Sequence, residues 1–375
     1  MPNTTHYGII GCGMMGQEHL RNIALFDGAN VAAIFEPDAD MAQAALKFAP
    51  NAQLVGSIAE LLAVPELDCL VIVSPNFRHM EQLEQIANTR ALPILVEKPL
   101  FTDPAHKARI DTFCATYPAP VWVAMEYRYM PPVAALLEQA AAVTGGVKML
   151  TIREHRFPFL PKIGDWNRFN RYTGGTFVEK CCHFFDLMRL IVGADPVRIM
   201  ASGSQAANHL NESYGGETPD ILDNGYVIVE FENAVRAMLE LCMFAEGAKY
   251  QEEISAIGPK GKIEALVPGP GRFWPKHLGP APVPKLITSP RNTGAGNPSG
   301  PVETDIPVDA TLLDAGDHNG STFYQHRGFL ELVRGTRATP DVTLHDGKMA
   351  VLMGMAAQIS MAENRVVEMA DLFGE

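Results

Sequence analysis

Tyr7-Gly8-Ile9-Ile10-Gly11-Cys12-Gly13-Met14-Met15-Gly16-Gln17-Glu18-His19-Leu20 decides the fold. The apolar start reads as a buried strand, and Gly11, Gly13 and Gly16 follow at G-x-G-x-x-G spacing before a helical pattern. Each glycine has a physical task. Gly11 permits a tight turn, Gly13 lets backbone approach a pyrophosphate, and Gly16 lets helix and strand pack closely. With Cys12, Met14 and Met15 between them, the helix N-terminus offers free N–H groups and a positive dipole end to phosphates. The spacing alone is a weak signal; its place between a strand and a helix gives it weight. Glu36 ends a second strand about twenty residues beyond Gly16, where an acid bonds the ribose 2′-hydroxyl. A carboxylate there repels a 2′-phosphate, so NAD is expected over NADP.

Working outward, strand patterns at 7–10, 31–35, 53–55, 67–73, 93–96 and 121–125 alternate with helical ones near 14–26, 39–48, 57–63, 77–90 and 104–116. Asp103-Pro104 is a sound helix start, a capping oxygen followed by a residue with no N–H to waste. Such alternation implies a parallel sheet with helices on both faces, an α/β Rossmann domain over 1–125. The grammar changes afterwards. A helix near 132–142 leads to a strand at 147–155, a loop and helix follow over 174–190, and strands read at 196–203, 225–232, 235–244, 251–257 and 261–267. Tight turns at Glu232-Asn233 and Gly258-Pro259-Lys260-Gly261 suit hairpins. Residues 126–375 therefore read as an α+β domain with a largely antiparallel sheet, closing with helices near 319–334 and 344–363. Residues 268–308 are rich in proline and glycine and read as a long structureless loop: a lid, an oligomer-contact arm or a bland insertion.

At 375 residues, two domains are the default. A content of 47% hydrophobic and 19% charged residues excludes a wholly disordered chain. The net charge of −13 argues against nucleic-acid or anionic-membrane partners. Cys12, Cys69, Cys114, Cys181, Cys182 and Cys242 form no C-x-x-C framework, so a reducing compartment and a cytoplasmic location are expected. Cys181-Cys182-His183 suggests a metal corner, but no companion ligand pair stands at zinc-site spacing, and no metal is expected. Met1–His6 lacks an export signal, and no apolar run is long enough to span a membrane.

Glu97-Lys98-Pro99 follows the run Pro93–Val96, at the carboxyl end of a buried strand where open α/β sheets bind ligands. Together with Ser74-Pro75-Asn76, His79, Arg128 with Pro131, Gly174-Gly175, His183, Asp186 and Asp346-Gly347, it makes the chain resemble the Gfo/Idh/MocA oxidoreductases over nearly its whole length. The resemblance implies NAD held by the glycine turn, Glu36, Ser74, Pro75, Asn76, His79, Glu97, Lys98 and Arg128. It implies oxidation of a secondary alcohol, or reduction of the ketone, on a sugar, cyclitol or related polyhydroxy compound, with Lys98 beside the nicotinamide and the substrate. The family helix reads Asp-x-x-x-His; here it reads Glu179-Lys180-Cys181-Cys182-His183. A homodimer or homotetramer is also implied, through the exposed face of the antiparallel sheet.

Residues 179 and 183 are i and i+4, so one helix face carries both, with Cβ atoms about 6 Å apart. His183 is the candidate base, since an unperturbed imidazole titrates near working pH. Lys98 steadies the developing alkoxide or is itself the base; the residues leave both open. Glu179 orients His183 or contacts a substrate hydroxyl. Substrate contacts are also expected from Glu126, His155, Trp166 and Arg168, an aromatic and donor set suited to a polyol. Arg153 shares a strand face with His155, and His318 and His326, placed on the late helix, read as structural. Two rivals use the same residues: a redox-cycling glycosidase that returns the hydride, and a non-catalytic dinucleotide-sensing regulator.

Overall fold

The computed structural model describes residues 4–292 and 299–373. Two sheets organise the chain. The first runs β1 (Thr5–Ile10), β2 (Ala29–Phe35), β3 (Gln53–Val55), β4 (Cys69–Ile72), β5 (Ile94–Val96) and β6 (Val121–Val123), all parallel, in the order β3-β2-β1-β4-β5-β6. β4, β5 and β6 are buried along their whole length, because helices cover both faces. The order reverses between β1 and β4, and this switch point opens a crevice beyond the strands' carboxyl ends.

The second sheet has nine strands: β7 (Met149–His155), β8 (Pro196–Ser204), β9 (Asn224–Phe231), β10 (Arg236–Cys242), β11 (Glu252–Gly258), β12 (Gly261–Val267), β13 (Lys285–Pro290), β14 (Val302–Asp305) and β15 (Val367–Glu368). Only β7 and β10 pair in parallel, so the sheet is largely antiparallel. Alternation gives it one buried face, with Leu150, Ile152, Leu239, Ile254 and Ile263 turned inward. On that face lie the helices Cys182–Val192 and Leu344–Glu363. The opposite face exposes Met149, Tyr226 and Ile228.

The chain's late helices also return to the first sheet. Trp122 is fully buried, and a Cβ on Gly328 of the helix Ser321–Val333 would stand 2.7 Å from its ring. Val123 N–H donates to the Val342 carbonyl at 3.1 Å.

Three expectations need correction. Residues 268–308 are not structureless: β13 and β14 extend the sheet from β12, while 293–298 lie outside the described residues, as do Met1–Asn3 of the supposed leader-free start. The prolines and glycines around them hid both: β13 lies between β12 and β14 and ends on Pro290, and β14 is a short exposed edge strand. The 174–190 region is two helices, Thr176–Glu179 and Cys182–Val192, with a break at Lys180–Cys181. Finally, His318 lies in the turn before the helix Ser321–Val333 rather than on it.

Candidate active site

The nucleotide side is built mainly of backbone. Gly11 has φ +92°, and a Cβ there would stand 2.8 Å from Val73 and Ser74 main-chain atoms, so the turn is open only to glycine. A Cβ on Gly16 would lie 2.6 Å from the Gly11 carbonyl oxygen, which is why the helix Met14–Ile23 can sit against β1. Gly13 has nothing within 4 Å of its would-be Cβ, and no side chain caps the helix. Its first N–H groups therefore stand free for an anion. Glu36 closes over the turn, accepting from Cys12 N–H at 2.5 Å and Asp38 N–H at 2.9 Å. That carboxylate and burial push the Cys12 thiol up to about 12, so it is no nucleophile. Open cradle, free N–H groups and a carboxylate at the second strand's end together fit a dinucleotide.

Below the turn, Ser74 Oγ donates to Gln82 at 2.6 Å, and Asn76 is buried at the cleft wall with its amide nitrogen unpartnered. His79 is buried against the carbonyls of Pro99 (2.8 Å) and Ser74 (3.1 Å), tying the loop after β4 to the loop after β5. Glu97 pairs with His19 at 3.0 Å, and His19 meets His326 at 2.7 Å. The Glu97 carboxylate also accepts from Lys98 N–H at 3.1 Å. These contacts fix Glu97-Lys98-Pro99 where Lys98 enters the cleft.

The cleft between the two sheets has a cavity of about 160 Å³, and Lys98, Glu179 and His183 all line it. Lys98 Nζ donates to the Glu179 carbonyl at 3.1 Å. Glu179 is buried, its Oε2 unpartnered, with Lys162 Nζ 3.8 Å from Oε1. Burial pushes its carboxyl up from the ordinary range. His183 stacks on Tyr127 with ring centroids 4.1 Å apart and planes 8° from parallel. Burial, then Lys98, Lys180 and His318, hold its imidazole well below the usual range, and its Nδ1 has no partner. These groups disfavour the imidazolium and keep the ring neutral, with a free nitrogen as acceptor for a hydroxyl proton. Despite the break between their helices, residues 179 and 183 still face one space.

Several site residues escaped sequence reasoning. Lys180 is buried, with Glu154 at 2.8 Å and the Tyr127 hydroxyl as partners. His318 lines the cleft, 2.8 Å from Glu18, and rises to about 10 because Glu126 and Glu18 outweigh its burial. Thr322 Oγ1 lies 2.8 Å from Glu18 and 2.6 Å from Glu126. Burial raises the Glu126 carboxyl from its ordinary range, while His318 lowers Glu18 to about 2.

Other expected residues lie elsewhere. Arg128 grips Asp186 at 2.6 Å and the Asp341 carbonyl at 2.7 Å, and does not line the cleft. His155 pairs with Glu240 at 2.9 Å on the open face of the second sheet, as Arg153 does with Glu253. Parity decided this: Glu154, one residue away, turns to the buried face against Lys180, and Arg156 lines the cleft. Arg168 is buried near Glu212 (3.5 Å) and Tyr214 (3.4 Å), anchoring a loop, while its neighbour Asn167 lines the cleft. Trp166 stands behind the wall, 4.5 Å from Lys162 Nζ.

A glycine-turn dinucleotide fold whose cleft joins a lysine, a carboxyl and a neutral imidazole defines a nicotinamide-dependent oxidoreductase. The comparisons agree. Residues 5–125 match the oxidoreductase family's NAD-binding Rossmann fold, and 141–369 match its C-terminal alpha/beta domain. The chain belongs to the Gfo/Idh/MocA oxidoreductases. It is 27% identical over 277 residues to an inositol 2-dehydrogenase of Corynebacterium glutamicum, covering 73% of this chain and 77% of that one. A myo-inositol 2-dehydrogenase of Thermotoga maritima is 23% identical, with 98% and 99% covered. Among solved structures, a Lactobacillus casei myo-inositol dehydrogenase in complex with NAD(H) and myo-inositol superposes with TM-score 0.72 at 19% identity, covering 97% and 96%. No helix among the described residues is long and apolar enough to cross a membrane.

Proposed function

We propose that the protein oxidises a secondary hydroxyl of a cyclitol, sugar or related polyhydroxy compound with NAD, or reduces the matching ketone. The convergence of Lys98, Glu179 and His183 on the cleft that contains the glycine turn carries this reading. Bound NAD supplies the hydride acceptor. The Lys98 ammonium donates to the reacting oxygen and steadies its developing negative charge. Neutral His183 takes the hydroxyl proton at a ring nitrogen, with Tyr127 holding the ring plane by stacking. Glu179, beside both, bonds a neighbouring hydroxyl and sets which carbon faces Lys98. The aromatic and aliphatic wall of Phe157, Phe159, Leu160 and Met130 excludes water from that carbon.

Glu36 supports NAD over NADP, and inositol 2-dehydrogenases among the relatives support a cyclitol-like ligand. The open, partly apolar face with Met149, Tyr226 and Ile228 supports a homodimer or homotetramer. Incubation with NAD and a panel of cyclitols, sugars and glycosides, following NADH absorbance and product mass, tests the reading. Stoichiometric NADH with a product two hydrogens lighter is expected. Glycoside cleavage without net NADH would overturn it in favour of redox-cycling hydrolysis.

A further inference from the structure

On the cleft's substrate side the cations Lys98, Arg156, Lys162 and Lys180 outnumber the carboxyls Glu154, Glu179 and Glu252. On the nucleotide side Glu18 pairs with His318 at 2.8 Å, Glu97 with His19 at 3.0 Å, and Asp317 with Arg272 at 2.6 Å. At the floor, Lys180 holds Glu154 at 2.8 Å. Arg156 and Lys162 make only loose ion pairs, beyond hydrogen-bond distance. Arg156 Nη1 stands 3.7 Å from the Glu154 already held by Lys180, and Lys162 Nζ stands 3.8 Å from Glu179. Lys98 Nζ, between them and the nucleotide side, bonds a main-chain carbonyl and no carboxylate. Burial and Glu154 raise the nearby Glu252 carboxyl to about 7, so it is only partly ionised at neutral pH. In a chain of net charge −13, this concentration of loosely paired positive charge is local and built.

Arg156 is the sharpest case. Its side chain is only 12% exposed, wedged 4.5 Å from the Phe157 ring centroid and 5.8 Å from that of Phe159. Among the described residues its hydrogen bond is from Nε to the Phe157 carbonyl at 3.1 Å. Arg156 lines the cleft, and among the described residues neither terminal nitrogen has an acceptor at hydrogen-bond distance, Nη1 standing 3.7 Å from Glu154. A guanidinium so nearly buried with free N–H groups is costly until something accepts from it. Its planar fork matches a carboxylate, two parallel N–H···O bonds to two oxygens. Aromatic walls at Phe157 and Phe159 suit a flat group over a bulky tetrahedral one.

We infer that the compound oxidised carries a carboxylate, held by the Arg156 fork with the Lys162 ammonium beside it, so the substrate class is a polyhydroxy acid of the aldonic or uronic kind. This rests on the oxidation proposed above and narrows it. The carboxylate takes no part in the redox step. The carbinol C–H bond breaks, its electron pair leaves as hydride to bound NAD, the hydroxyl proton goes to His183, and a C=O bond forms. What the carboxylate does is fix the distance from its own carbon to the one presented to Lys98.

Initial rates with NAD are to be compared across matched sets: glucose, gluconate and glucose 6-phosphate; galactose and galacturonate; and myo-inositol alone. The expected result is kcat/KM at least tenfold higher for the acid in a set. Arg156→Gln then removes that preference mainly through KM, with NADH affinity unchanged, and Lys162→Met weakens it. Should Arg156→Gln fail to fold, the more exposed Lys162→Met carries the test through its KM for the acid. Preference for the neutral compound or the phosphate ester overturns the inference alone and leaves the oxidation standing. So does a folded Arg156→Gln that keeps the acid preference. NADH from no compound, with NAD still bound, overturns the oxidation and this inference together.

Discussion

The two walls of the cleft are made of different material. The nucleotide wall is mostly main chain: Gly11, Gly13 and Gly16 act by what they lack, and the helix Met14–Ile23 offers N–H groups that any sequence would supply. The opposing wall is side chain: Lys98, Arg156, Lys162, Glu179, Lys180 and His183, buried or half-buried and held by one another. A wall of backbone tolerates changes of side chain and fails on changes of shape. A wall of charges behaves the other way, because each buried group depends on its neighbours' charge.

The largest expected effect lies on the side-chain wall. Lys98→Met removes the donor to the reacting oxygen, and turnover should fall about 10²–10³-fold. NADH affinity, measured by fluorescence titration, should hardly move; a comparable loss of binding would break the distinction between the walls. Gly11→Ala attacks the other wall. Its Cβ meets main-chain atoms at 2.8 Å and the residue must keep a positive φ, so about 1–3 kcal/mol of strain enters the turn. NADH affinity should weaken by about five- to a hundredfold, while kcat at saturating cofactor falls less. Smaller again is Glu36→Ser, expected to move the NAD to NADP preference by roughly tenfold toward NADP by removing a repulsive charge. Paired kcat/KM values with the two cofactors check it.

The seam between the walls should show itself through pH. His318 rises from 6.5 to about 10, so its contribution to stability is whole below pH 6.5 and is lost as pH climbs toward 10. Glu18 falls from 4.5 to about 2, so its contribution is whole above pH 4.5 and is lost as pH drops toward 2. Thermal melts should therefore be highest between pH 4.5 and 6.5. Glu18→Gln should flatten both limbs, and unchanged limbs would remove the ion pair from the account.

The same contrast explains what the sequence made legible. Backbone devices leave a spacing: the glycine turn, Glu36 and the strand–helix alternation were readable because geometry at those positions admits few residues. Glu97-Lys98-Pro99 and the 179/183 pair were readable through a motif carried by a family resemblance. Arg156 was not, since its placement rests on strand parity where β7 ends. Choosing Arg153 and His155 picked the open face of the sheet, one residue out of step with Glu154 and Arg156. His318 left no local signal, because its role comes from Glu18, about three hundred residues earlier in the chain. Lys180 left no signal of its own, because its partners Glu154 and Tyr127 come from elsewhere in the chain. β13 and β14 were masked by the prolines and glycines around them, and their pairing onto β12 is a tertiary fact.

The Val123–Val342 hydrogen bond and the packing of Gly328 on Trp122 have a consequence for the nascent chain. β6 and its tryptophan leave the ribosome long before the residues that cover them. At elongation rates of about 5–20 residues per second, the wait is roughly ten to forty seconds. For that interval the first domain carries an uncovered Trp122 at its edge, the kind of surface that holdase chaperones bind. A ribosome stalled before Gly328 would release a chain whose nucleotide half was complete in sequence but still unsealed.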